Sequence, residues 1–149
     1  ADDFSLNTMS MISNAFDKLL ITLNLAGFII GGFAILVGGF GIANIMFVSV
    51  RERTRIIGIQ KAIGARNVFI LCEFLFEAVS LSLMGGIVGL FLIFIGSLIA
   101  NSMMTFKIVL GLNNIAIGLT ISAIIGIIAG FAPAWRASRL SPVAAMSTL

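Results

Sequence analysis

Residues 19–50 read LLITLNLAGFIIGGFAILVGGFGIANIMFVSV and contain no charged side chain. A helix needs about 20 apolar residues to cross the hydrocarbon core of a bilayer. At about 1.5 Å per residue this run would be roughly 48 Å long, so we expect the helix to tilt or to project beyond the bilayer. The run is apolar on every face, whereas a membrane β-strand alternates in polarity. It therefore predicts a transmembrane helix.

Two further apolar runs follow along the chain. Residues 68–100 contain only Glu73 and Glu77 as charged groups, and residues 115–131 contain none. The whole chain is 60% hydrophobic and 10% charged, with a mean hydropathy of +1.19, whereas about a quarter of the residues of a soluble domain are charged. We predict an all-α fold, a multi-pass transmembrane helical bundle with three spanning helices.

The cations are unevenly distributed between the two ends of the predicted spans. Five lie in residues 51–66 and two in the C-terminal tail, whereas only Lys18 and Lys107 lie on the other side. The positive-inside rule therefore places the loop and the C-terminus in the cytoplasm and the N-terminus outside. Since the sequence begins with Ala1 and shows no signal peptide, we expect it to be part of a longer membrane protein.

Ahead of the first run, apolar residues recur at spacings of three and four, which indicates one apolar face of a stalk helix. This face consists of Leu6, Met9, Ile12, Phe16 and Leu19. We expect Pro133 to end or bend the third span and Trp135 to anchor it at the membrane interface. The predicted segments are an extracytoplasmic stalk helix (1–18), transmembrane helices (19–50, 67–100 and 115–132), a cytoplasmic coupling loop or helix (51–66), an extracytoplasmic loop (101–114) and a cytoplasmic tail (133–149).

The cationic loop RERTRIIGIQKAIGAR, residues 51–66, has an internal pattern that a plain tether would lack. Ile56, Ile59 and Ile63 are spaced as one stripe of a short helix, and the cations border this stripe. Gly64 is a suitable terminator for such a helix. An amphipathic helix beside a membrane lies on the lipid surface or docks into a groove of a partner.

Two motifs resemble a known family. The run VGGFGIANIMFVSVRERTRIIGIQKAIGAR, residues 37–66, resembles the signature of the MacB/FtsX-type (type VII) permeases of ABC transporters. The tail PAWRASRLSPVAAM, residues 133–146, is similar to the closing motif of that family. The resemblance implies four helices per subunit and a large extracytoplasmic domain between the first two. This chain would then hold the last three helices.

The resemblance also implies partners and a mechanism. Family members form a homodimer or pseudo-dimer, bind two cytoplasmic ATPase subunits and pass ATP-driven motion to their outer domains, which is called mechanotransmission. The implied element for coupling to the ATPase comprises Glu52, Arg53, Thr54, Arg55, Ile56, Ile57, Gly58, Ile59, Lys61, Ala62, Ile63 and Gly64.

This sequence departs from the family pattern at several positions. Ile56 stands where Glu is usual, and Gln60 stands where a basic residue is usual. Ser141 and Ala144 replace common acidic residues in the tail. An exposed ion pair contributes only about 0–1 kcal/mol, so we expect docking to survive the loss of the Glu.

Glu73 and Glu77 lie four residues apart on one helix face, near the cytoplasmic end of the second span. One interpretation is an intramembrane proton or cation site, or a switch that pairs with Arg51 or Arg66. The other is a pair of interfacial carboxylates that reach headgroups and loop cations. The sequence leaves both open.

Small or polar residues mark faces on which membrane helices can associate closely. One interpretation is an interface that moves or that joins two copies of the chain. The other is packing between helices of the same bundle. The candidates are Gly27, Gly31, Asn44, Gly85, Gly89, Gly118, Ser122, Gly126 and Gly130.

No motif for catalysis was found in the sequence. It has no His, no G-x-x-x-x-G-K-[ST], no H-E-x-x-H and no G-x-S-x-G. We therefore expect no enzyme activity, cofactor or metal site on this chain, with ATP and Mg on the partner ATPase. We also expect no nucleic-acid binding, because the cations cluster at membrane ends.

The predicted function is a permease subunit of the bacterial plasma (inner) membrane that exports drugs, peptides or lipoproteins by mechanotransmission. Its expected partners are cytoplasmic ABC ATPase subunits, a second permease copy, a periplasmic or extracellular adaptor and the lipid bilayer. One alternative is an FtsX-like signalling permease that regulates cell-wall hydrolases without transport. A secondary transporter or channel fits less well, because the first and third spans lack ionisable groups.

Overall fold

The computed structural model describes the backbone of residues 2–103 and 111–141, and the side chains of residues 11–102 and 111–141. Four helices account for almost all of these residues, which confirms the all-α prediction. They are α1 (Asp2–Glu52), α2 (Thr54–Ala62), α3 (Asn67–Met103) and α4 (Leu112–Ser138). Several predictions lie outside the described residues: most of the loop around Lys107, the tail motif from Pro142 onward with Ala144, and the side chains of Leu6 and Met9.

Three of the helices are long and apolar enough to cross a membrane, as predicted. They cover Met11–Glu52, Asn67–Ser102 and Leu112–Ser138, and the most apolar 18-residue stretches within them have mean hydropathies of 2.3, 2.5 and 2.4. The stalk and the first span, which were predicted as two segments, belong to one helix, α1.

The third span extends further than predicted. α4 continues through Pro133 to Ser138, so Pro133 does not end the helix. The turn after Pro133 is stabilised by packing, because Ala134 and Ala137 are fully buried. That burial outweighs the hydrogen bond that proline cannot donate.

Residues up to Val37 and residues from Gly38 onward form two separate compact units. In the first unit, the described side chains of residues 11–37 are exposed apart from the half-buried Gly31. Many of them are large and apolar, such as Phe28 and Phe33. Such a surface is suited to lipid or to another apolar helix.

In the second unit, α3 and α4 pack closely along a face of small residues. A Cβ added at Gly126 would lie 2.8 Å from Cα of Val79, and one added at Gly130 would collide with Cβ of Ala78. The Ser82 hydroxyl donates a hydrogen bond to the Ser122 carbonyl at 2.5 Å. Small residues thus allow the two backbones to approach, as is typical of membrane helices.

The other predicted packing residues lie in different surroundings. A Cβ added at Gly118 would lie 3.6 Å from the Leu90 side chain, whereas one added at Gly27, Gly31, Gly85 or Gly89 would meet nothing within 4 Å. Asn44 is exposed. Gly86, which sequence reasoning passed over, lies against the Ser122 hydroxyl.

A buried apolar cluster forms where the helices meet the charged loop, and we refer to this part of the second unit as the charged-loop end. Its members come from the last turns of α1, from α2, from the start of α3 and from the end of α4. They are Met46, Val50, Ile57, Ile70, Phe74, Ala78, Ala134 and Ala137. This cluster fixes α2 against the three long helices.

Candidate functional site

A single residue, Arg53, joins α1 to α2. Its N–H donates to the Ser49 carbonyl at 3.0 Å, and its own carbonyl accepts from the Ile57 N–H at 3.0 Å. The Thr54 hydroxyl lies 3.0 Å from the Val50 carbonyl and 2.8 Å from the Arg51 carbonyl. Threonine hydroxyls that bond back to the preceding turn often bend helices, which accounts for the break at this position.

The end of α2 is set by Gly64, as predicted. Gly64 has a φ of 107°, which residues with a side chain rarely adopt. The Ala65 N–H donates to the Gln60 carbonyl at 2.9 Å, and the Gly64 N–H donates to the Lys61 carbonyl at 3.0 Å. These two bonds form the Schellman arrangement that closes a helix.

The two sides of α2 differ in burial. Ile57 is 1% exposed and belongs to the buried cluster, whereas Ile56, Ile59 and Ile63 are 55%, 46% and 83% exposed. The predicted apolar stripe is therefore largely exposed rather than buried in the chain's own bundle. Ile63 lies just beyond the helix, at its C-cap.

Polar contacts hold α2 against α3. The Arg53 guanidinium lies 3.4 Å from the Glu77 carboxylate, and the Gln60 side-chain amide donates to the Glu73 carboxylate at 3.4 Å. Glu77 thus contacts Arg53 of the coupling element and Glu73 contacts Gln60 of α2, rather than the Arg51 or Arg66 of the switch interpretation. These contacts are long and partly exposed, so we expect each to contribute about 0–1 kcal/mol.

A shorter contact holds α2 against α4. The Lys61 ammonium donates to the carbonyls of Ser138 and Leu140, each at 2.7 Å. Carbonyls at the C-terminus of a helix attract cations, because the helix dipole leaves partial negative charge there. Burial, with a smaller effect from nearby Arg139, lowers the pKa of Lys61 from its ordinary value.

The last turns of α4 carry two aromatic side chains, Phe131 and Trp135. The rings of Phe131 and Trp135 lie 5.9 Å apart, and the Arg139 guanidinium lies 4.8 Å from the centre of the Trp135 ring. Trp135 is exposed. An exposed Trp with a neighbouring cation is typical of a membrane–water interface.

One side of α2 thus packs on the chain's own helices through Ile57, and the other, which we call the open side, is exposed and carries Arg55, Ile56 and Ile59. Arg53 and Lys61, which were expected to face the ATPase, contact the chain's own helices, although Arg53 is also exposed. Arg55 and Ile59 are exposed as well. Within the part of the chain that the structure describes, no cluster of three or more His, Cys, Asp or Glu side chains could hold a metal ion. The open side of α2 presents the exposed Ile56 and Ile59 beside the exposed cation Arg55.

Sequence reasoning missed the anchoring role of Ile57, although it included the residue in the coupling element. Ile57 lies seven residues after Val50 and eleven after Met46, and all three are buried. These spacings fit one helix face that continues across the joint. Extending the pattern of α1 past Arg51 would have identified Ile57 as the buried position of α2.

Comparison with known proteins agrees with this description. The chain is 41% identical over 146 residues to a probable export ATP-binding/permease protein MacB of Pseudomonas entomophila. It is 41% identical over 147 residues to a macrolide export ATP-binding/permease protein MacB of Vibrio parahaemolyticus, and 39% identical over 146 residues to a probable syringafactin export ATP-binding/permease protein SyfD of Pseudomonas syringae.

These matches cover 97%, 98% and 97% of the chain but 22% of each relative. The chain thus spans about a fifth of the length of the curated relatives it matches. Residues 28–142 match the family described as FtsX-like permease C-terminal. This region contains α2, the second unit's buried cluster, all of α3 and α4 and about half of α1. The chain therefore belongs to the FtsX-like permease C-terminal family.

Proposed function

We propose that α2 is the coupling helix of an ABC-type permease, which receives ATP-driven motion from an ATPase on the cytoplasmic side. The observation that carries this proposal is that one side of α2 is buried and the opposite side is exposed. Ile57 anchors one side in the bundle, whereas Ile56 and Ile59 are exposed next to Arg55. An apolar stripe beside a cation is suited to a groove on a partner protein.

The contacts of α2 support transmission of movement into the membrane helices. Arg53 and Gln60 link α2 to α3, and Lys61 links it to the end of α4. The one-residue joint at Arg53 links it to α1. A displacement of the exposed side would therefore act on three long helices at once, and α1 would carry it toward an extracytoplasmic domain.

Export is the activity that the relatives favour. Two of them are named for macrolide or syringafactin export, and none of the three described above is named as a regulator of cell-wall hydrolases. We therefore propose export of a drug, peptide or lipoprotein and rank the FtsX-like signalling role second. No observation favours a secondary transporter or channel.

The proposed assembly lies in the bacterial inner membrane, with the charged-loop end in the cytoplasm. It contains a second permease copy, an ATPase that holds ATP and Mg, and an extracytoplasmic adaptor. The relatives' names combine ATP binding and permease in one protein. The ATPase is accordingly either another part of the same polypeptide or a separate subunit.

The test is ATP hydrolysis and ATPase docking in the full-length protein in lipid nanodiscs. We expect Arg55→Glu combined with Ile59→Asp to weaken docking at least tenfold, because each change places an acidic group on the proposed interface, where central residues contribute more than about 1 kcal/mol each. Arg66→Glu, a charge reversal at another exposed cation outside α2, is the control. Docking unaffected by the double change would overturn the proposal.

A further inference from the structure

A groove of about 530 Å³ lies beside the joint between α1 and α2. The last turns of α1 form one wall, and the end of α4 forms the other. Its polar lining includes Arg51, Arg136 and Asn44, and its apolar lining includes Phe47, Val48 and Leu140. All of these residues belong to the second unit.

The groove is positively charged. Among its described lining residues two are arginines and none is acidic. Neither Arg51 nor Arg136 takes part in an ion pair within the described ranges, where the one recorded pair is Arg53 with Glu77. The Arg136 guanidinium lies 5.9 Å from the centre of the Phe47 ring, and this contact with the ring face does not use its N–H donors.

The two arginines lie at the boundary between apolar and polar sequence. Arg51 directly follows the uncharged residues 19–50, and Arg136 directly follows the exposed Trp135. That boundary is where the headgroups of a bilayer lie. Phe47 and Val48 precede Arg51 on α1 and are exposed, so they extend from the charged part of the groove toward the hydrocarbon.

We propose that this groove binds an acidic phospholipid from the leaflet at the charged-loop end. The lipid phosphate would lie between Arg51 and Arg136, because guanidinium groups bind phosphate oxygens with paired N–H donors. An acyl chain would lie along Phe47 and Val48. Basic pockets between membrane helices bind acidic headgroups in this manner. The proposal does not depend on an ATPase.

The experiment is native mass spectrometry of the full-length protein, titrated with phosphatidylglycerol and, separately, with phosphatidylcholine of the same acyl chains. We expect phosphatidylglycerol to bind more tightly. Arg51→Gln and Arg136→Gln should each weaken its binding about fivefold, and the double variant about thirtyfold. Arg55→Gln, which removes an exposed cation outside the groove, is the matched control.

Other results would overturn the proposal. Equal binding of the two lipids, or an equal loss in Arg55→Gln, would show no specific headgroup site. Glycerol phosphate that competes as well as the intact lipid would show a phosphate site without a lipid tail. If Arg51→Gln leaves lipid binding unchanged but alters the oligomeric state, the groove is covered by a second copy instead.

A control separates the loss of charge from the loss of folding. The double variant Arg51→Lys with Arg136→Lys keeps both charges and should keep part of the preference for phosphatidylglycerol over phosphatidylcholine.

Discussion

Lys61 makes the shortest polar contacts between α2 and the end of α4, at 2.7 Å to the carbonyl of Ser138, the last residue of α4, and to that of Leu140 just beyond it. The family resemblance implied that this residue belongs to the element that couples to the ATPase. Its acceptors, Ser138 and Leu140, lie 77 and 79 residues away. No local pattern reveals such a partner, so the position of Lys61 required the structure.

We expect Lys61→Met to destabilise the folded protein by about 1–3 kcal/mol, because both carbonyls lose a charged donor in a partly buried position. The measurement is thermal unfolding of the full-length protein in detergent. Arg55→Met, at an exposed position of the same helix, should change stability by less than about 0.5 kcal/mol. Equal effects of the two substitutions would contradict the assigned contact.

Glu77 is a second residue whose role can be measured. The hypothesis of a switch predicts that Glu77→Gln alters transport while dimer assembly and ATPase docking stay intact, because the Arg53 pair would form and break as the helices move. A double-mutant cycle with Arg53→Gln should give a coupling energy of about 0–1 kcal/mol. Transport that is unchanged in Glu77→Gln would leave Glu77 with a structural role only.

At the level of elements, α3 and α4 form the closest helix pair, and their contact depends on glycine. Sequence spacing marked Gly126 and Gly130 as equivalent to Gly85 and Gly89. The structure separates them, because only the first two lie against a neighbouring backbone or Cβ atom. Spacing alone cannot tell which small residues face a helix of the same chain and which face lipid or a partner.

This difference gives a paired prediction. Gly130→Ala should destabilise the bundle by about 1–3 kcal/mol, because the added methyl group overlaps Ala78. Gly89→Ala should be neutral or stabilise the helix by about 0.5–1 kcal/mol, since nothing lies within 4 Å. Thermal unfolding and helix content by circular dichroism measure both. A larger loss from Gly89→Ala than from Gly130→Ala would refute the assigned faces.

For the short helix α2, residue spacing in the loop sequence predicts some features and misses others. Isoleucine spacing and Gly64 predicted its existence and its end, and both agree with the structure. The stripe formed by Ile56 and Ile59 was also predicted, but not the residue on the opposite side. Ile57 is buried because residues of α1, α3 and α4 converge there. The pattern within residues 51–66 does not mark it, and only its spacing from Met46 and Val50 on α1 does.

For the whole molecule, composition was sufficient to predict the fold class. Backbone groups in lipid are satisfied in helices or closed barrels, and three runs that lack the alternating polarity of barrel strands favour helices. The structure has three helices long and apolar enough to span a membrane. The family was predicted from the run at residues 37–66, which lies within the matched region. Contacts around the joint could not be predicted, because they depend on side chains from four separate helices.

The central claim is that the open side of α2 contacts an ATPase. The most direct measurement places a photo-activated benzoyl-phenylalanine at Ile59 in the full-length protein and identifies the cross-linked peptides by mass spectrometry. Phe69, an exposed residue at the start of α3, serves as the control position. The account predicts cross-links from position 59 to a nucleotide-binding domain or subunit, and far fewer from position 69. Cross-links from position 59 only to lipid or to this chain's own helices would contradict it.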